Sequence, residues 1–276
     1  MVVQGLALWD TVHWAELRRA ETLAELEEIG VGTLWLGGSP DPDLRIVEEL
    51  LDSSTTLTVA TGIVNVWAEP AEVAARSRTR VLERYPDRFL LGVGASHRVL
   101  VGDAYVRPYE KLVSYLDDLD AAGVPVDGRV LAALGPRVLR LAAERTRGAH
   151  PYLVTPEHTA RAREILGAGK LLVPEQKVVL STDPGEARTL ARQRLAMYLE
   201  LPNYTNSWRR QGFTEDDLAG GGSDRLVDAM VAWGDEDAVR ARVEEHRAAG
   251  ADQVALQVLN PDRLAALRRL APALLG

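Results

Sequence analysis

Seven prolines fall where an apolar run gives way to an amphipathic stretch: Pro42, Pro70, Pro108, Pro136, Pro156, Pro184 and Pro261. Proline holds φ near the helical value and lacks the N–H that the first turn of a helix leaves unpaired, so each placement reads as a helix start. Each of these helices follows a predicted strand. Serial strand–helix pairs build a parallel sheet, because a parallel neighbour needs a crossover connection. Residues 129–158 show the pattern at its densest. Residues 130–134 form an apolar run, Gly135-Pro136 breaks it, and Val138, Leu139, Ala142 and Ala143 recur at helical spacing. Gly148 ends that helix, residues 150–154 form the next strand, and Thr155-Pro156 supplies an N-cap followed by proline at the first helical position. Both strands run into helix N-termini, where unpaired N–H groups and the helix dipole favour an anion. Two readings stand at this edge: a phosphate-bearing ligand, or ordinary helix caps.

Read along its length, the chain predicts strands at residues 3–8, 33–37, 57–64, 88–93, 130–134, 149–154, 176–181 and 253–258. Each is followed by a helix, the first spanning residues 15–29. Eight such units in 276 residues match a (β/α)₈ TIM barrel of the α/β class, one domain over residues 1–276. Residues 201–234 are left over between helix seven and strand eight and read as a short helical insertion that could cover one barrel end. A doubly wound open sheet would call for GxGxxG after strand one, which is missing. With 46% hydrophobic and 26% charged residues, the chain can bury a large core.

Several function classes fall away. No cysteine is present, which removes disulfides and thiolate metal sites and fits a cytoplasmic protein. The N-terminus lacks a basic segment followed by a long apolar one, so no signal peptide is expected. No apolar run approaches the about 20 residues of a membrane span. A net charge of −8 argues against a nucleic-acid partner, which demands a basic patch. In a barrel of this kind chemistry sits where the strands end. Those ends offer no facing carboxylates for glycosidase work, no HExxH-type metal motif and no GxSxG elbow. They offer amides, hydroxyls, glycines and aromatics, a lining suited to an organic cofactor that carries its own reactivity. Among the histidines, His13 and His246 read as surface residues of helices and His150 as a structural strand residue. His158 could reach a phosphate from the first helical turn. His97, ending strand four in a glycine-rich turn, is the best catalytic candidate.

Three segments carry a family resemblance: residues 60–67 (ATGIVNVW), 90–97 (LLGVGASH) and 132–136 (AALGP), supported by 201–204 (LPNY) and 248–254 (AAGADQV). In this order on eight βα units, the chain resembles the luciferase-like monooxygenase superfamily, in its branch of F420-dependent oxidoreductases. The resemblance implies a (β/α)₈ barrel binding the deazaflavin coenzyme F420, or FMN in sister branches, and no metal. Its implied cofactor contacts are Ser39, Thr61, Gly62, Ile63, Asn65, Ala95 and Ser96. The phosphate loop corresponds to Ala133, Leu134, Gly135 and Pro136, with Thr155 and His158 completing it. Trp9, Asp10, Trp67 and Tyr204 would line the substrate pocket. A non-proline cis peptide, frequent after strand three in the family, would fall at Gly62–Ile63. One departure matters. Related sugar-phosphate dehydrogenases carry a carboxylate acid after strand four and a histidine after strand two. Here His97 takes the first place and Gly37-Gly38-Ser39 stands at the second, which argues against sugar-phosphate oxidation. The expected activity is hydride transfer between F420 and a small organic molecule, with His97 as acid/base. An FMN-dependent monooxygenase and a non-catalytic flavin-binding or partner subunit are the alternatives. A homodimer is the assembly the family implies.

Overall fold

The computed structural model of the chain describes residues 5–11 and 13–276; the start of the first predicted strand, residues 3 and 4, lies outside them. The elements run β1 (Leu6–Thr11), α1 (Ala20–Ile29), β2 (Val31–Gly37), α2 (Arg45–Asp52), β3 (Thr58–Thr61), β4 (Val64–Asn65), α3 (Ala71–Arg84) and β5 (Phe89–Gly94). There follow α4 (Arg98–Val101), α5 (Pro108–Ala121), β6 (Arg129–Leu131), α6 (Pro136–Arg145), β7 (Gly148–Ala149), α7 (Pro156–Leu166), β8 (Leu171–Leu172) and β9 (Glu175–Leu180). The last third holds α8 (Pro184–Leu199), α9 (Pro202–Arg210), α10 (Glu215–Leu218), α11 (Asp224–Met230), β10 (Val231–Gly234), α12 (Glu236–Ala248), β11 (Ala255–Val258) and α13 (Arg263–Leu275).

The ladders are all parallel and close into a ring. β1 pairs β2, β2 pairs β3, β3 pairs β5, and the chain of neighbours continues through β6 and β7 to β8. β9 pairs β11, and β11 returns to β1. β8 and β9 are halves of one stave: across Val173-Pro174 the amides of Val173 and Glu175 still donate to Ala149 O (3.1 Å) and Pro151 O (2.9 Å). β3 and β4 are likewise one stave, broken at Gly62–Ile63. Eight staves result, in the order the prolines implied. β10 adds a strand that the sequence reading placed inside the insertion. It is parallel to the upper half of β9, with Val231 opposite Lys177 and Gly234 opposite Leu180. A four-residue apolar run wedged between two helices is too short to show a period.

Prolines sit at the first helical position of α5, α6, α7 and α8, and also of α9 through Pro202. Three expectations shift. Pro42 lies outside α2, which starts only after Leu44 in the left-handed region (φ 55°). Pro70 is the N-cap of α3. Pro261 precedes Asp262, whose carboxylate caps α13 by accepting from Ala265 N at 3.0 Å. The helix expected over residues 15–29 is split, a 3₁₀ turn at Ala15–Arg18 and then α1, because Arg19 is extended.

Strand residues alternate between two cores. Leu6, Leu8, Leu34, Leu36, Leu91 and Val93 face outward and pack beneath the helices. Ala7, Trp9, Trp35, Ala60, Leu90, Val130 and Ala255 fill the barrel interior. Three alanines there leave room for Trp35, which is wholly buried. On β9 the interior turns polar, with Glu175 in register with Ala255. Lys177 Nζ lies 3.0 Å from Glu175 Oε1, both side chains fully buried. Among the described residues no helix is long and apolar enough to cross a membrane.

Candidate functional site

A cavity of about 1160 Å³ opens where the staves end. Trp9, Gly62, His150 and Tyr152 form its floor, and Ile63, Asn65, Ala95, Ser96 and His97 form one wall. The opposite wall comes from helices. Arg194, Met197 and Tyr198 lie three and four apart on α8, which is one helical face, and Asn203, Asn206 and Arg210 do the same on α9, with Tyr204 beside them. Thus the insertion supplies a wall of the site. Ser39 (φ 54°) and Ser96 (φ 57°) adopt left-handed backbone in the turns after β2 and β5, conformations unusual for a residue with a Cβ and frequent at functional turns. At the β3–β4 break, Gly62 N donates to Leu36 O at 2.7 Å, and Val64 resumes pairing with Val93. The described residues contain no cis peptide, so the Gly62–Ile63 bond is trans, against expectation. The kink is accommodated by the glycine and by renewed pairing on β5.

His97 precedes α4 and reaches across the cavity to α9. Its Nδ1 lies 3.2 Å from Asn203 Oδ1. A carbonyl oxygen only accepts, so Nδ1 carries the proton and Nε2 keeps a lone pair. Burial lowers the His97 pKa below the usual histidine value, and the Asn203 bond offsets part of that. Its ring also leans on Tyr204, 5.5 Å between centroids. Tyr204 is buried, its hydroxyl makes no hydrogen bond among the described residues, and burial holds its pKa well above the ordinary one.

The floor has a directed hydrogen-bond chain. Tyr152 donates to Gln257 Oε1 (3.0 Å), so the Tyr152–Tyr198 contact of 2.9 Å has Tyr198 as donor. Beneath it, Lys177 Nζ sits 3.8 Å from the Tyr152 ring centroid. Burial pulls Lys177 down to about 8 and pushes Glu175 up, and each charge partly restores the other. His150 Nδ1 donates to Val173 O at 2.6 Å, and the ring stacks on Trp35 at 4.2 Å. Burial drops its pKa to about 4, so it is neutral. The rim is basic: Arg194, Arg210 and Arg263 line the cavity against a single carboxylate, Glu16. Arg263 is engaged, 3.3 Å from Asp10 Oδ2 and over the Trp14 ring. The side chains of Arg194 and Arg210 make no hydrogen bond or ion pair among the described residues.

The structure brings Trp9, Ser39, Gly62, Ile63, Asn65, Ala95, Ser96, His97, Ala133, Leu134, Gly135 and Tyr204 to this cavity. Other expected site residues lie behind its walls. Asp10 is 1% exposed and turned to Thr11 N and Arg263; burial raises its pKa and Arg263 counters. Thr61 is fully buried and ties β3 to β5 through Gly92 O and N (2.9 and 2.7 Å). Trp67 donates to Ala95 O at 2.8 Å and packs on Tyr105. Pro136 is exposed and has no N–H to offer. Thr155 donates through both N and Oγ1 to Gln211 Oε1 (3.2 and 3.0 Å), and His158 Nε2 donates to Leu134 O at 2.8 Å. These bonds and the end of α9 close that edge, so Thr155 and His158 act as caps and cross-braces. His246, expected on the surface, is fully buried between Thr159 Oγ1 (2.8 Å) and Gln176 Oε1 (3.0 Å). His13 is exposed at the cavity rim. Sequence reasoning missed Arg194, Tyr198 and Arg210. Their only signal was polar or aromatic residues on the inward stripe of α8 and α9. No group of three or more His, Cys, Asp or Glu is placed to hold a metal among the described residues.

The barrel, its kinked third stave and the cavity above it define a class: the chain has the luciferase-like (β/α)₈ fold. No protein-family model and no curated protein sequence matches it. Among solved structures it is similar to an F420-dependent secondary alcohol dehydrogenase in complex with an F420-acetone adduct (TM-score 0.76, 12% identity, 99% of each chain covered). It is equally similar to the coenzyme F420-dependent tetrahydromethanopterin reductase of Methanopyrus kandleri (TM-score 0.77, 14% identity, 99% of each chain). The oxygenating constituent of 3,6-diketocamphane monooxygenase from Pseudomonas putida, in complex with FMN, superposes at TM-score 0.67 with 14% identity over 97% of this chain and 98% of that one.

Proposed function

We propose that this chain is an oxidoreductase that uses coenzyme F420 to move a hydride to or from a small organic substrate. The observation that carries the reading is the layout of the cavity: an apolar and aromatic middle, with an anion-binding end at the start of α6. Gly135 is the N-cap there, and a Cβ added to it would meet nothing nearer than Arg210 Nη2, at 3.9 Å. The amides of Gly135 and Arg137, which make no hydrogen bond among the described residues, and an otherwise unengaged guanidinium flank one open space, a fit for a phosphate. The flat middle, between Ile63 and the tyrosines of α8 and α9, fits a planar ring. Similarity to F420-dependent enzymes over the full chain supports the cofactor choice.

When bound, F420 supplies the hydride chemistry at its C5 carbon. The chain's residues then have separate tasks. Gly135 and Arg210 hold the anionic end, and Ile63 backs the ring. His97, neutral with Nε2 free, takes the proton from a substrate hydroxyl when hydride leaves the carbon, and returns it in the reverse direction. Tyr204 donates to the same oxygen, and its raised pKa keeps it protonated. Titrating the protein with F420 and with FMN, followed by fluorescence quenching, tests the reading. Saturable F420 binding is expected. Saturable FMN binding with no F420 binding moves the protein to the flavin monooxygenases, and binding of neither rejects a cofactor enzyme. For His97→Asn, turnover falls by about 10²–10⁴ while F420 affinity holds; a wild-type pH profile in that variant removes His97 from the chemistry.

A further inference from the structure

The cavity has a second basic end that the cofactor phosphate does not account for. Counting staves from β1, Gly135 and Arg210 lie at the fifth, β6. Arg194 lies across the mouth. Its charge acts on Asp10 of β1, the first stave, and on Glu175 and Lys177 of β9, the seventh. In a closed ring of eight, the first stave faces the fifth. One phosphate held at β6 therefore leaves Arg194 unneutralised.

The groups around Arg194 sharpen its role. Arg263, its basic neighbour on the rim, is already paired with Asp10. Tyr198, one helical turn along α8, spends its hydroxyl proton on Tyr152, and Tyr152 spends its own on Gln257. Neither phenol can donate to a ligand oxygen. Arg194 keeps its full fork of donors, is half-buried, and makes no ion pair with Glu16, the one carboxylate on the cavity lining. A planar guanidinium in a partly dehydrated, aromatic-walled pocket matches a carboxylate with two parallel hydrogen bonds. Neutral alcohols and ketones cannot satisfy it.

We infer that Arg194 is the substrate anchor and that the substrate is a small carboxylate, an organic acid whose reacting carbon lies between this anchor and His97. This rests on the oxidoreductase reading, since it assigns the far end of the cavity to a cofactor. It also predicts selectivity. The carboxylate fixes one end of the molecule over β1, β9 and β11, so the distance from acid group to reacting carbon sets which acids turn over.

Calorimetric titration with benzoate and hexanoate, each against its amide, tests the anchor on the whole protein with and without F420. In wild type each acid is expected to bind at least about tenfold more tightly than its amide. Arg194→Met abolishes the preference at an unchanged thermal midpoint, and Arg194→Lys keeps part of it. Arg210→Met weakens F420 but leaves the preference intact. Equal binding of acid and amide, or a preference that survives Arg194→Met, overturns the inference. So does a preference lost in Arg210→Met alone, because the acids would then be entering the cofactor's anion site. If wild type binds no F420 yet shows the Arg194-dependent preference, the cofactor reading fails and the anchor stands.

Discussion

Two buried histidines make the fold sensitive to mild acid. His150 and His246 sit neutral inside the protein, held down by burial to about 4 and about 3 from an ordinary 6.5. Neither is more than 2% exposed. In the unfolded chain both take up a proton near the ordinary value. Between the folded and unfolded pKa the unfolded state binds more protons, so stability rises with pH and is lost as pH falls through this window. At about pH 5 each histidine costs about 2 kcal/mol of stability relative to neutral pH, or about 4 kcal/mol together. For a chain of this size that is a drop in melting temperature of roughly 8–16 °C. His97 and His158, also lowered by burial, act with the same sign. Carboxylates whose pKa is lowered in the fold contribute only below their unfolded pKa, outside this window, whereas Asp10 and Glu175, raised by burial, act with the opposite sign, and the His246→Gln comparison isolates the histidine part. Denaturant unfolding between about pH 7 and about pH 5 reads the effect. His246→Gln, which can still reach Thr159 and Gln176, should remove close to half of the slope. A wild-type loss under about 1 kcal/mol across the window, or a full slope in His246→Gln, would refute the assignment of two neutral buried imidazoles.

The buried pair on β9 gives a second test: Lys177→Met should cost about 3–5 kcal/mol in unfolding free energy by stranding the Glu175 carboxylate, and Glu175→Gln added to it should recover most of that loss. Gly92→Ala would place a Cβ 1.8 Å from Thr61 O, so the variant should fail to give soluble, cooperatively melting protein. Gly135→Asp, by contrast, has room for its side chain, and its carboxylate beside Arg210 should weaken F420 binding at least about tenfold in a fluorescence titration; unchanged affinity in the folded variant would displace the phosphate from α6.

The barrel was legible because its signals are local. Proline at a helix start and an apolar run before it are each decided within a few residues, and eight repetitions leave one topology. The wall from β3 to β6 was legible for the same reason: Gly62, Ile63, Ala95 to His97 and Ala133 to Gly135 directly follow their strands. The other wall was not. Arg194 and Tyr198 lie in the second half of α8, away from any strand end, where nothing in the sequence tells which stripe of the helix faces the mouth. Thr155 and His158 follow their strand as read, but Gln211 takes both donors of Thr155 and Leu134 O takes Nε2 of His158. His246 reads as a helix-surface histidine until α7 and β9 bring Thr159 and Gln176 to it.

The strand that breaks out of the insertion has an engineering consequence. β7 and β10 bond to the same edge of one stave, one below the other, and Trp208 of α9 donates to Leu153 O at 3.2 Å. The segment over the mouth is therefore stitched into the barrel wall at both ends. It cannot be exchanged as a cassette, as a surface loop could. A graft meant to reshape the pocket would have to keep Trp208 and residues 231–234 and vary only the side chains between them, whereas deletion of the segment would leave one edge of β9 unpaired from Lys177 to Leu180.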